Sequence, residues 1–205
     1  MARLDWSSLP KDYDAGVDRG VLYFGEREFV SWNGLVTVEE RIIGIDPKPL
    51  YFDGIVYNLR QGIPDFTAAV EAFSYPYMLE EHILAMCDTR VNVGTRNDVE
   101  PFHFTYRVGT NSGYKIHLAY NVVAIFEGYE YETINASNNL SPFSFTFHAT
   151  PEEVPQARPT AHFVVDSTKA NPAFLKNLED FLYGSEYSSP KFPSVPELIG
   201  LFSVV

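Results

Sequence analysis

The sequence contains one cysteine, Cys87, among 205 residues, so it can build neither an intrachain disulfide framework nor a cysteine-based zinc knuckle. Basic residues are few as well: 15 Lys and Arg stand against 27 Asp and Glu, a formal charge of −12. Grip on nucleic-acid phosphates needs clustered cations that displace counterions, and this balance argues against such a surface. It suits solubility, or a wall past which a polyanion slides without sticking. No stretch approaches the roughly 18 consecutive apolar residues of a membrane-spanning helix. No apolar run follows Met1-Ala2-Arg3-Leu4-Asp5 as a signal peptide requires, so the expectation is a protein made in a cytoplasm with no membrane partner. Asn135-Ala136-Ser137 matches a glycosylation acceptor and, without a secretory signal, is read as chance. Catalytic signatures are missing too. There is no Gly-x-Ser-x-Gly elbow, and the glycines are single turn residues rather than a phosphate-cradling loop.

What the chain has is alternation. In Phe102-His103-Phe104-Thr105-Tyr106-Arg107-Val108 and Tyr114-Lys115-Ile116-His117-Leu118-Ala119-Tyr120 apolar residues fall on every second position, the period of a strand with one apolar face. The intervening Gly109-Thr110-Asn111-Ser112-Gly113 makes the two an antiparallel hairpin. Phe143 to His148 and Ala161 to Asp166 supply two more such strands, Leu35 to Val38 another after an Asn33-Gly34 turn, and Asp53-Gly54 marks a tight hairpin between Leu50-Tyr51-Phe52 and Ile55-Val56-Tyr57. In Phe66 to Ser74 the alternation of Phe66, Ala68, Val70 and Ala72 suits a strand while the alanines suit a helix; it is read as a strand because Tyr75-Pro76 ends it abruptly. Leu79, Ile83 and Met86 fit two turns of helix, and Val91 to Glu100 reads as loop. The clearest helix is Pro172 to Tyr183, with Asn171 as N-cap, Gly184 as terminator and Phe174, Leu175, Leu178, Phe181 and Leu182 on one apolar face. These elements predict a mainly β fold, a β-sandwich or small barrel with a flanking α-helix, over 1–184. Residues 185–205 form a proline-punctuated C-terminal arm whose Leu198-Ile199-Gly200-Leu201-Phe202 needs a partner within the chain or outside it.

Candidate chemistry is thin. His103, His117, His148 and His162 fall on the polar side of predicted strands, where a zinc or iron site assembled across neighbouring strands is conceivable; they are read instead as exposed or hydrogen-bonded strand histidines, because ligand pairs at familiar short spacing are missing, apart from His162 with Asp166. Four residues along a strand span roughly 13 Å, too far to share an ion. Glu39-Glu40, Glu80-Glu81 and Glu152-Glu153 are adjacent pairs, which a strand sends to opposite faces rather than to one acid–base site. Ser167 and Thr168 are read as turn residues, and Glu127, Glu130 and Glu132 as the densest acidic patch. The reading assigns no catalytic, cofactor-binding or metal-ligating residue: a non-enzyme without cofactor.

Several stretches, in order along nearly the whole chain, carry a resemblance: Ala15 to Tyr23, Trp32-Asn33-Gly34-Leu35-Val36, Tyr51-Phe52-Asp53-Gly54, Val70-Glu71-Ala72-Phe73-Ser74-Tyr75-Pro76, Gly113 to Leu118, Arg158-Pro159-Thr160-Ala161-His162 and Leu178 to Gly184. Together they resemble the tail tube proteins, or major tail proteins, of long-tailed double-stranded DNA bacteriophages that infect actinobacteria. Tyr77 to Arg96 departs from that pattern. The resemblance implies a phage tail-tube-like fold and a structural virion subunit, assembled in the host cytoplasm and located in the virion tail. Its subunits would form hexameric rings stacked into a tube, with tape-measure and tail terminator proteins as partners and phage DNA passing through the lumen without specific binding. Two other readings stand beside it. One is another virion component, such as a distal tail or head-to-tail joining protein; the other is a small-molecule-binding or hydrolytic β-barrel, which requires a pocket with convergent polar groups.

Overall fold

A computed structural model describes residues 13–43, 48–60, 65–87, 91–95, 99–128, 141–155 and 157–203. In chain order the elements are β1 (Asp14–Tyr23), β2 (Phe29–Trp32), β3 (Leu35–Ile43), β4 (Lys48–Phe52), β5 (Ile55–Arg60), β6 (Asp65–Ala72), α1 (Tyr77–Ile83), β7 (Leu84–Cys87), β8 (Val91–Thr95), β9 (Phe102–Thr110), β10 (Tyr114–Phe126), β11 (Phe143–Ala149), β12 (His162–Asp166), α2 (Pro172–Tyr183) and α3 (Val195–Ser203). The fold is mainly β with flanking helices, as the alternation predicts. An antiparallel sheet of eight strands runs β2-β1-β9-β10-β11-β6-β3, with β12 paired to β10, while β4-β5 and β7-β8 are separate two-stranded sheets.

β10 is the spine. One edge pairs with β9; the other is shared by β12, along Lys115 to Ala119, and β11, along Val122 to Phe126. The sequence pattern predicts one apolar face here, but from Ile116 to Tyr120 both faces are buried. Ile116, Leu118 and Tyr120 pack under the helices, whereas Ala119, Val122 and Ala124 belong to the core on the opposite side. The change of phase comes at Asn121. It has φ +47°, a left-handed conformation asparagine tolerates better than most residues. It is part of a bulge, because Ala119 to Val122 on β10 oppose only Phe104 to Phe102 on β9. The bulge is pinned on three sides: the Asn121 amide donates to His103 Nδ1, its side-chain nitrogen donates to Glu152, and its carbonyl accepts from the Thr150 amide.

The sheet folds over so that β1 and β3 meet although they are not paired in it. Gly20 makes this approach possible: a Cβ there would lie 2.6 Å from Leu35 Cδ1. The indole N–H of Trp32 donates to the Ser74 carbonyl at 2.7 Å, and the Phe73 amide to the Gly34 carbonyl at 2.8 Å, tying the ends of β2, β3 and β6 together. Inside the fold the first core forms around Trp32, whose ring packs against Phe104, Phe145 and Phe147. Such aromatic pairs contribute about 0.5–1.5 kcal/mol each beyond the area they bury.

The second core lies between the sheet and the α2–α3 layer. α2 begins and ends as its caps predict, with Asn171 Oδ1 accepting from the Ala173 amide and Gly184 at φ +82°. Phe174, Leu178 and Leu182 are buried; Phe181, expected among them, is only half-buried and lies beneath the Lys191 ammonium. The C-terminal stretch finds its partner within the chain, for Phe192, Val195 and Leu198 complete this core. Tyrosine hydroxyls fasten the layers. Tyr23 donates to the Leu182 carbonyl at 2.6 Å, one of the helix-end carbonyls without an intrahelical partner. Tyr120 donates to the Pro193 carbonyl at 3.0 Å.

Two further expectations need correction. Met86 falls in β7 rather than on a helix, and Val91–Thr95 forms β8 where loop was expected. The two helical turns read at Leu79 and Ile83 are α1, and among the described residues α3 joins the helix expected at Pro172 to Tyr183. The strand assignment of Phe66 to Ser74 holds through Ala72, and Asp53 and Gly54 both take the positive φ their hairpin turn demands.

Leu178→Ala should destabilise the protein by about 2–5 kcal/mol in urea titrations, because Leu178 has no exposed surface. Phe181→Ala, at a half-buried site, should cost clearly less.

Acid sensitivity is expected at Asp166. The Thr168 hydroxyl and amide, and then Lys169, hold its carboxyl down to about 2. A depressed folded-state value gives stability that is complete above the ordinary carboxylate range of about 4 and lost as pH falls through the folded value. Asp166→Asn should therefore flatten the fall in urea midpoint between about pH 4 and about pH 2.

Candidate functional site

Glu40, His117 and His162 come from β3, β10 and β12 and meet on one side of the folded sheet. On β3 the alternation sends Glu39 outward, where it pairs with Arg41, and turns Glu40 inward beside Val38. On β10 the same alternation puts His117 on the face opposite Ile116 and Leu118. His162 is paired to Ala119 and His117 to Val164, so the two imidazoles are diagonal neighbours on one face of the β10–β12 ladder.

His117 Nδ1 lies 2.7 Å from Glu40 Oε1 and 3.2 Å from His162 Nε2; His162 Nδ1 is 3.9 Å from Glu40 Oε2. The Tyr106 hydroxyl, from β9, donates to the same Glu40 Oε1 at 2.6 Å. Packing fixes the rings: Tyr106 stacks on His117 at 4.7 Å between centroids and Phe66 stacks on His162 at 4.2 Å. His117 Nε2 is buried without a hydrogen-bond partner among the described residues, so Nδ1 carries that imidazole's polar contacts. The histidine side chains are 9% and 8% exposed and Glu40 is 26% exposed, which makes the carboxylate the open side of the cluster. It faces a cleft of about 650 Å³ lined also by Asp14, Lys115, Val164, Asp166 and Lys169.

The electrostatics follow from burial and contact. Burial alone would raise the Glu40 carboxyl, but hydrogen bonds from His117 and Tyr106 and the nearby imidazoles hold it at about 2. Burial pushes His162 down to about 4; Glu40 works against this and His117 with it. Tyr106 is raised, by burial first and then by the Glu40 charge beside it. At neutral pH the cluster is thus an ionised carboxylate beside a neutral His162. That combination can accept protons or donate lone pairs to a cation.

The other sequence candidates do not join this cluster. His103 stacks on Phe192 at 4.3 Å, is pushed down to about 4 by burial and holds the Asn121 bulge, while His148 is exposed. Asp166 shares the cleft wall but is engaged with Thr168 and Lys169. Ser167 behaves as a turn residue, its hydroxyl accepting from the Tyr114 amide. Of the acidic patch, Glu127 accepts from Thr146, whereas Glu130 and Glu132 lie outside the described residues, as does Asn135-Ala136-Ser137.

Spacing along one strand misses Glu40, His117 and His162 because they meet across strands. The apolar run Val122-Val123-Ala124-Ile125-Phe126 does not mark His117, because it lies on the other half of β10, where Ile125 is 52% exposed.

The chain matches no family model, no curated protein and no solved structure.

Tyr106→Phe should lower stability by about 1.5–3 kcal/mol, the range for a hydrogen bond to a charged group. Thermal melts compared with those of an exposed tyrosine variant, Tyr187→Phe, would check this, since Tyr187 is 91% exposed.

Proposed function

We propose that the protein is a self-assembling structural subunit, a tail tube protein of a long-tailed bacteriophage whose copies form hexameric rings stacked into a conduit for DNA. The observation that carries this reading is the β4–β5 hairpin. Leu50, Tyr51, Phe52, Ile55, Val56 and Tyr57 are all exposed, from 38% to 77%, and among the described residues the two strands pair only with each other. Beside the turn, from Leu50 to Tyr57, both faces of the hairpin are apolar and exposed, the condition of an element that is completed by another copy of the chain.

Two further features favour assembly. The outer edges of β2 and β3 have no further strand partner among the described residues, and edges of that kind join subunits by strand addition. A ring needs head-to-tail contacts between unlike surfaces, and a hairpin seated on a neighbour's sheet is such a contact. The formal charge of −12 suits a lumen that repels phosphates and lets DNA slide. A second reading, a ligand-binding β-domain, is favoured by one observation: polar groups converge on the cleft at Glu40.

Electron microscopy and sedimentation of the concentrated protein separate the two. Six-fold rings or tubes with an open channel are expected for the wild type. Replacing Tyr51, Ile55 and Tyr57 together by serine should leave a folded protein, by circular dichroism, that no longer assembles. A wild type that stays monomeric at every concentration, with or without tape-measure and terminator partners, would count against the tube subunit and favour the ligand-binding domain.

A further inference from the structure

We propose that Glu40, His117 and His162 form a three-ligand site for a divalent metal ion of the zinc class, with its fourth position open to the adjoining cleft. Two imidazoles and a carboxylate are a donor set that suits zinc, and three protein ligands with one open position is a common zinc arrangement. One ligand atom from each residue can be chosen so that all lie within 4.8 Å of one another. The facing nitrogens, His117 Nδ1 and His162 Nε2, stand 3.2 Å apart. In a tetrahedral site with bonds of about 2.0–2.1 Å, neighbouring ligand atoms are separated by about 3.3 Å. The imidazole pair therefore already has the required spacing. The 2.7 Å contact between Glu40 and His117 must open by roughly half an ångström. Rotation of the carboxylate can supply that, because Glu40 is the one ligand with solvent beside it.

The surroundings match a built site. Ligating carboxylates are as a rule hydrogen-bonded by an outer group, and the Tyr106 hydroxyl supplies that bond to Glu40. Phe66 and Tyr106 hold the two rings by stacking, so little side-chain freedom remains to be lost when the ion binds. The cleft gives an entry path and a place for a fourth ligand, a water or an oxygen donor. β3 is not hydrogen-bonded to β10 or β12. An ion held by all three strands would bridge the folded-over sheet at this point.

The test uses the full chain, stripped with a chelator and titrated with zinc chloride by calorimetry and thermal melting. One zinc per chain is expected, with Tm raised by roughly 5–10 °C once free zinc exceeds Kd about a hundredfold. Glu40→Gln and His162→Gln should each weaken binding at least about tenfold. Cobalt(II) gives a readout that does not depend on the variants folding. Wild-type protein should develop the intense visible bands of a four-coordinate N/O site, and zinc should bleach them. No uptake and no Tm shift in a large molar excess of zinc would overturn the proposal. So would a weak six-coordinate cobalt spectrum, or undiminished zinc affinity in both variants while circular dichroism shows them folded.

Discussion

The eight-stranded sheet and the helices packed on it are registered on β10, a strand that must satisfy two apolar environments at once. Its first half turns Ile116, Leu118 and Tyr120 toward the helices, and its second half turns Val122 and Ala124 toward the interior of the sheet. A strand of strict period two cannot do this. The extra residue at Asn121 shifts the phase, and the hydrogen bonds it makes with His103, Glu152 and Thr150 keep the shift in place. Without the bulge, one half of β10 would present its apolar row to the wrong core.

The same two-sidedness produces the polar cluster. Positions on the far side of a half-buried strand are normally wet, so His117 between Lys115 and Ala119 has the pattern of a surface residue. Folding the sheet over on itself brings β3 across that side and removes the solvent. The histidine is then buried against a carboxylate that stays ionised because Tyr106 and the imidazoles stabilise its charge. A buried polar group of this sort is tolerated only when its neighbours supply partners, and here Glu40 Oε1, His117 Nδ1, His162 Nε2 and the Tyr106 hydroxyl partner one another while His117 Nε2 has none among the described residues.

What could be read from the sequence was what local backbone chemistry determines. Asp53-Gly54 needs positive φ, Asn171 and Gly184 cap a helix, and the glycine-bounded loop after β9 closes a hairpin, all within a few residues of chain. What could not be read depends on which strands become neighbours. Val91 to Thr95 carries too few apolar residues to announce β8, and Leu84 to Cys87 follows α1 without a break, so its strand pairing is decided by β8 alone. Glu40, His117 and His162 are separated by long stretches of chain, and only the sheet order makes them a group. The fold class was therefore legible, and the cluster was not.

The second core also orders events during synthesis. Its sheet side, Val21, Tyr23, Ile116, Leu118 and Tyr120, exists once β10 has emerged, but its cover includes Val195 and Leu198. At about 5–20 residues per second, the ribosome needs on the order of ten seconds to travel from one to the other. For that interval the nascent chain carries an uncovered apolar sheet face, the surface on which a chaperone would be expected to rest until the C-terminal helix arrives to displace it.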